Sequence, residues 1–332
     1  MSPSVTVLGT GGTIASTAGG GGATPQKSSE ELLASVPAID DYAEIAVEQL
    51  LQTPSYDMDT DGMATIARGA IDAAENGTEG VVITHGTDTI EESAYYLDLV
   101  LDLEVPVFFT GAQRRPDEVS PDGPANLLCA IRAASHDFFA GTGGVYVAFD
   151  EEIHAAREVT KTHTSALDTF RSPDACPVAE FSHAGLRTHC EPGSRSASIA
   201  ALETTSEVAM VTSGAGVSGA SVQRALDIGV DGIVLEGTGL GNATGAIGKS
   251  VAEAIDSGVP VVITSRCLGG AVAPVYGGAG GGETLRSHGV IDGGDLPAYK
   301  ARLELMLALE ATDIGDTGGT DDVEAVRTVF ES

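Results

Sequence analysis

Short β-branched and aliphatic runs recur along this 332-residue chain, each closing on a glycine- or threonine-rich turn and most followed by a helical stripe. Parallel strands cannot be joined by tight hairpins and need crossover connections, usually helical. The alternation therefore predicts an α/β architecture with a largely parallel sheet. Strands are expected at residues 5–8, 43–47, 81–84, 105–110 and 144–149. Between them, Met63, Ile66, Ala67, Ala70, Ile71 and Ala74 fall on one helical face, with Asp59 or Thr60 placed to cap its start. Ile90, Ala94, Leu97 and Leu101 form a second stripe, and residues 125–138 a third. The first half thus reads as a doubly wound domain.

From about residue 181 to 206 no period persists, and the polar stretch SHAGLRTHCEPGSRSAS reads as an interdomain connection. Alternation then resumes, with strands expected at 208–212, 232–235 and 259–264, and helices at 221–228, 247–256, 296–309 and 322–330. The predicted layout is a larger N-terminal domain over residues 1–185, a linker over 186–207 and a smaller α/β domain over 208–332. Two glycine tracts, 18–23 and 276–283, read either as flexible linkers or as mobile lids.

Charge excludes several function classes. Lys+Arg total 17 against 48 Asp+Glu, a formal net charge of −31. Such a surface repels nucleic-acid phosphates and anionic lipid. No apolar run reaches the ~18 residues of a membrane span. Only Lys27, Lys161, Lys249 and Lys300 are lysines. An acidic, lysine-poor surface stays hydrated when concentrated salt screens its self-repulsion, so adaptation to high salt is expected. The four cysteines lack a CxxC spacing and read as isolated thiols; with no visible secretion signal, the cytoplasm is the default compartment. His183, His189 and Cys190 match no zinc spacing.

Three segments carry chemistry. In VLGTGGTIAS (7–16) a strand runs into a tight turn and an expected helix, with Thr10 and Thr13 presenting hydroxyls at a strand end where open α/β sheets bind ligands. Ile14 replaces the third glycine of a dinucleotide fingerprint, and no phosphate-binding Lys-Ser/Thr follows. In VVITHGTDTIEES (81–93) a helix cap would account for Asp88 or Thr89, but not for Thr87. In REVTKTHTSALDTF (157–170), Lys161 is the one lysine between residues 28 and 248. A lysine can become a base where burial lowers its pKa, which an arginine cannot do. His85 reads as a buried structural hydrogen-bonder.

Together these segments resemble the bacterial-type L-asparaginase/glutaminase family. TGGTIAS and THGTDTIEES correspond to its two signature blocks, supported by SYDM (55–58), GAQRRPDEVSPDGPANL (111–127), EVTKTHTS (158–165) and GVDGIVLEGTGLGNA (229–243). The resemblance implies a two-domain amidohydrolase that needs no metal or cofactor and acts on an amino-acid amide. It implies a homodimer or homotetramer with its sites at subunit interfaces. It puts the nucleophile on Thr13 and a second triad on Thr87, Asp88 and Lys161. Backbone amides around Gly12, Thr87 and Asp88 would hold the oxyanion. Gly12, Ser55, Tyr56, Gly86, Ala112 and Asn242 would line the substrate pocket, with Ser55 on the α-carboxylate and Asp88 on the α-ammonium.

The chain departs from the family pattern in several places. No tyrosine follows TGGTIAS on the expected lid, where Thr24 is the nearest hydroxyl candidate. Tyr56 stands where many members have glutamine, and Leu240 where some have asparagine. The disulfide pair of secreted members is missing. The expected activity is hydrolysis of L-asparagine to L-aspartate and ammonia. Three alternatives stand beside it. One is the amidase subunit of a tRNA-dependent amidotransferase, which carries an extra N-terminal domain where this chain begins its first strand by residue 5. The others are a nucleotide-cofactor oxidoreductase and a catalytically dead amino-acid-binding relative.

Overall fold

The computed structural model describes residues 2–20, 22–36, 39–312 and 320–330. The chain divides into two compact units, with the break between Ser198 and Ile199. Strands of the first unit are β1 (Ser4–Gly11), β2 (Ser16–Gly19), β3 (Gly22–Pro25), β4 (Glu44–Thr53), β5 (Gly80–Thr84), β6 (Val107–Thr110), β7 (Val145–Phe149), β8 (Glu152–Ala155), β9 (Thr160–Lys161), β10 (Phe170–Arg171), β11 (Ala179–Ser182) and β12 (Gly185–Thr188). Its helices are α1 (Ser29–Leu33), α2 (Thr60–Glu75), α3 (Ile90–Val100) and α4 (Gly123–Ala134).

Eight strands form one sheet in the order β12-β11-β8-β7-β6-β5-β1-β4. The five from β4 to β7 are parallel, whereas β8, β11 and β12 are antiparallel additions at one end. The sheet is therefore mixed, not purely parallel. Chain order within the parallel part reverses between β1 and β5, and ligands in open α/β sheets bind beyond the carboxyl ends of strands at such a switch point. Every residue of β5, β6 and β7 is buried, as expected for strands covered on both faces. One face presents Val5, Val7, Val82, Phe108 and Tyr146 to α1 and α4. Phe108 stacks on Tyr146 at 5.0 Å between ring centroids. The other face carries α2 and α3, and Asp59 caps α2 by accepting from Gly62 N.

Three local expectations fail here. After Gly12 the chain makes a single 3-10 turn, Thr13–Ala15, and then the β2–β3 hairpin instead of a helix. The first glycine tract forms the end of that hairpin, apart from residue 21, which lies outside the described residues. Strand β12 occupies residues expected to be linker, because Ala179–Thr188 pairs as a hairpin on the sheet edge. Cys129 and Cys267 are separate thiols, but Cys176 and Cys190 meet with their sulfurs 3.4 Å apart.

The second unit contains strands β13 (Val208–Thr212), β14 (Gly232–Gly237), β15 (Val261–Ser265) and β16 (Ile291–Asp292), all parallel and in chain order. Its helices are α5 (Ala220–Ile228), α6 (Gly245–Asp256), α7 (Gly282–Ser287), α8 (Ala298–Ala311) and α9 (Thr320–Phe330). Helix α8 packs on β13, β14 and β15. The second glycine tract lies inside this unit, so it is not an interdomain linker. A Cβ on Gly280 would collide with the Ala243 and Thr244 carbonyls, so that segment packs tightly against the start of α6. Among the described residues, no helix is long and apolar enough to cross a membrane.

Candidate active site

The site is assembled at the carboxyl ends of β1, β5 and β6, and two glycines make the approach possible. Gly12 lies in the left-handed region at φ +82°, and a Cβ there would run into the Gly86 backbone. A Cβ on Gly86 would in turn strike the Ser55 side chain. The turns after β1, β4 and β5 are thus in close contact, which only glycine allows. Thr13 and Thr87, each the next residue along, leave from adjoining turns.

Thr10, expected to offer its hydroxyl, does not. It is 1% exposed and donates to the Thr84 carbonyl at 2.8 Å, tying β1 to β5. The Thr13 hydroxyl has no protein partner among the described residues, and Ser16 and Ala15 both bond back to the Gly12 carbonyl to hold the turn. His85 is fully buried. Its Nδ1 donates to Gly86 O at 2.8 Å, which leaves Nε2 to accept from Ser93 at 3.0 Å. Burial pushes its pKa down to about 4, against a smaller opposing effect of the Gly86 bond. His85 is a neutral strut under the turn and not a base.

Thr87 is the hub. Its hydroxyl accepts from Lys161 Nζ at 2.9 Å and donates to Gln113 Oε1 at 3.2 Å. Lys161 Nζ also lies 2.9 Å from Asp88 Oδ1, the lysine side chain being 14% exposed and the aspartate 56%. A hydroxyl, an amine and a carboxylate therefore converge from residues 74 and 73 positions apart in sequence. The lysine is held by pairing of β9 with β10, where Lys161 opposes Phe170. Gln113 is positioned twice: its Nε2 donates to Ala166 O at 3.1 Å, and its backbone N donates to Asp122 at 3.0 Å. Sequence reasoning missed Gln113, since only its tertiary contact with Thr87 distinguishes it from the polar residues around it.

Ser55 is 5% exposed and starts the 3-10 turn Ser55–Asp57. Its Oγ accepts from Asp88 N at 3.3 Å, and its carbonyl accepts from the Thr89 hydroxyl at 2.7 Å. Thr89 sits at the cap position of α3 without making a side-chain cap bond, because its hydroxyl secures Ser55 instead. Tyr56 beside it is 69% exposed. Ala112 is buried, packed towards Gly123 at the start of α4. Thr24, on the outer hairpin strand, is exposed and accepts from Gln26 Nε2 at 3.2 Å. Asn242 belongs to the second unit, where its Oδ1 accepts from Gly282 N at 3.1 Å. A cavity of about 110 Å³ lined by Ile14, Leu32, Arg114 and Leu127 backs onto the same β1 turn but receives none of these polar groups. Among the described residues, no group of three or more His, Cys, Asp or Glu side chains could hold a metal ion.

Residues 4–193 match the family model described as asparaginase, N-terminal, and residues 207–317 match the glutaminase/asparaginase C-terminal domain. The chain belongs to the asparaginase family of amidohydrolases. Its two domains and mixed large sheet are those of the asparaginase fold. The chain is 34% identical to L-asparaginase 2 of Escherichia coli over 323 residues, spanning 93% of this chain and 90% of that one. It is 35% identical to a glutamyl-tRNA(Gln) amidotransferase subunit of Methanothermobacter thermautotrophicus over 338 residues, spanning 99% and 75%. The structure of a probable cytoplasmic L-asparaginase from Campylobacter jejuni superposes with a TM-score of 0.86 at 30% identity, covering 99% of both chains.

Proposed function

We propose that this asparaginase-family chain hydrolyses L-asparagine to L-aspartate and ammonia through a covalent threonine ester. The observation that carries the reading is the Thr87–Lys161–Asp88 cluster, with both Nζ distances at 2.9 Å. A threonine hydroxyl is a weak nucleophile unless a neighbouring group takes its proton. Thr13, whose hydroxyl is bonded to no described protein group, attacks the side-chain amide carbon. The amide nitrogen gains a proton and leaves as ammonia, and water then cleaves the β-acyl ester. Thr87 and Lys161, in hydrogen-bond reach of each other, relay the protons and activate that water.

The remaining groups orient the substrate. The Gly12 and Thr87 amides, which donate to no protein acceptor among the described residues, suit the developing oxyanion. The Asp88 amide is less suited, as it already donates to Ser55. Ser55 Oγ accepts from that amide and keeps its own proton to donate to the α-carboxylate. Asp88, half exposed beside Lys161, pairs with the α-ammonium. Ala112, Gly86 and Tyr56 line the pocket. We assign the working enzyme to the cytoplasm, in keeping with its likeness to the probable cytoplasmic L-asparaginase of Campylobacter jejuni. We take it to be a homodimer or homotetramer in which a neighbouring copy supplies Asn242.

A second reading, an ammonia-generating subunit of a tRNA-dependent amidotransferase, is favoured by the 35% identity to such a subunit over nearly the whole chain. One assay separates them: ammonia release from L-asparagine and L-glutamine by the purified chain in molar salt. Turnover of free asparagine that drops by at least ~10² in Thr13→Ala, Thr87→Ala and Lys161→Met, about 2.7 kcal/mol each, supports the asparaginase. Amide hydrolysis seen only with an added amidotransferase partner supports the second reading. Asparagine binding without any turnover contradicts both.

A further inference from the structure

We propose that Cys176 and Cys190 form a reversible redox pair, a disulfide staple on the edge hairpin of the large sheet. The sulfurs are 3.4 Å apart, so bond formation at about 2.05 Å requires them to close by about 1.3 Å. Backbone bonds hold the two residues in place. Val178 N donates to Ile153 O at 2.7 Å, which anchors the segment leading from Cys176 into β11. His189 and Cys190 then both donate their N–H to the Val178 carbonyl, at 2.9 and 3.4 Å. The two thiols are thereby brought to the open end of one hairpin, where β11 begins and β12 finishes.

The outer strand of that hairpin is paired on one side alone. Strand β11 meets β8 through the Ala179–Ile153 and Glu180–Glu152 pairs and a Phe181 N–H donated to Glu151 O at 2.8 Å, whereas β12 is the outermost strand of its sheet. An edge strand such as β12, paired on one side, frays and offers unpaired backbone groups to other chains. A covalent link between residues 176 and 190 closes the loop around β11 and β12 and suppresses that opening.

The chemistry is thiol–disulfide exchange with a small-molecule disulfide as oxidant. Cys176 is exposed and Cys190 only partly so, which makes Cys176 the entry point. Its thiolate attacks one sulfur of the oxidant, forming a mixed disulfide and expelling one thiolate. Cys190, deprotonated, then attacks the Cys176 sulfur and expels the second. The protein loses two protons and two electrons, and the oxidant becomes two thiols. Burial and the Cys176 neighbour keep the Cys190 thiol above its usual pKa, so this resolving step slows as pH falls.

The test equilibrates the intact protein, wild type and Cys267→Ser, with graded mixtures of reduced and oxidised glutathione. Thiol counting, non-reducing peptide mapping and amide hydrogen exchange then follow. The expected result is joint loss of two thiols in a single transition, a linked 176–190 peptide and recovery on adding dithiol. Exchange in residues 179–188 should slow by about tenfold on oxidation, with no such change in Cys176→Ser. The proposal is overturned if the two sulfurs take up glutathione independently, if either pairs with Cys267 or with another chain, or if the linked form leaves exchange of the hairpin unchanged.

Discussion

Lys161 Nζ sits 2.9 Å from Thr87 Oγ1, across 74 positions of sequence, and the same amine lies 2.9 Å from Asp88. The lysine is carried by a two-residue strand pair and the threonine by the turn after a fully buried strand, so two separate parts of the fold fix the distance. Lys161→Met removes the only amine within reach of that hydroxyl among the described residues. The variant should fold normally and lose at least ~10² in kcat with a small change in KM, since the amine serves proton transfer more than binding. Steady-state kinetics and circular dichroism check this together.

Gln113 takes the Thr87 proton direction for itself: the hydroxyl donates to Oε1 while the other end of the amide is tied to Ala166. Gln113→Leu frees that hydroxyl to rotate. A loss of kcat of about tenfold is expected, with KM and melting behaviour near wild type. An unchanged kcat would mean that Thr87 is held well enough by Lys161 alone.

Replacing Gly12 by alanine combines a left-handed backbone with a collision against Gly86. Strain and overpacking each cost about 1–3 kcal/mol, so the variant should lose about 2–6 kcal/mol of stability. Gly20→Ala is the control, because a Cβ there meets nothing within 4 Å. Urea unfolding of the pair should separate them clearly.

His85 makes stability depend on pH. Its folded pKa, near 4, is depressed from 6.5 by burial, so the unfolded chain binds the proton more readily. The stabilisation is complete above pH 6.5 and is lost as pH falls from there towards 4. The full difference is about 3 kcal/mol, from roughly 1.4 kcal/mol per pKa unit. Over that window His85→Gln, which cannot titrate, should show a shallower decline than wild type in unfolding midpoints measured against pH.

The formal charge of −31 leads to a salt prediction. Fold and ammonia release should both require salt on the order of 1 M, where the Debye length falls to ~3 Å and surface repulsion is screened. Full activity and an unchanged melting temperature in dilute buffer would refute salt adaptation.

Much of this architecture is legible in the residue pattern. Strands buried on both faces write themselves as continuous apolar runs, and the stripe from Met63 to Ala74 identifies α2 because its periodicity is local. The turn after Gly12 is less readable: a helix and a hairpin can begin alike, and tertiary contact with Gly86 decides between them. Strand β12 escapes notice because Gly185–Thr188 has no buried residue and therefore no apolar signature. Thr87, Asp88 and Lys161 stand out by position or rarity. Gln113 and Thr89 act only through partners that the fold brings to them, and the meeting of Cys176 with Cys190 is likewise invisible at a separation of 14 residues.

The central claim is that Thr13 becomes an acyl carrier served by the Thr87–Lys161 pair. Lys161→Met, mixed with L-asparagine and acid-quenched within a turnover, should be mapped by peptide mass spectrometry. An aspartyl ester on the peptide containing Thr13, absent from Thr13→Ala, is the predicted result. An ester on Thr87 instead, or ammonia released with no covalent adduct on either threonine, would contradict it.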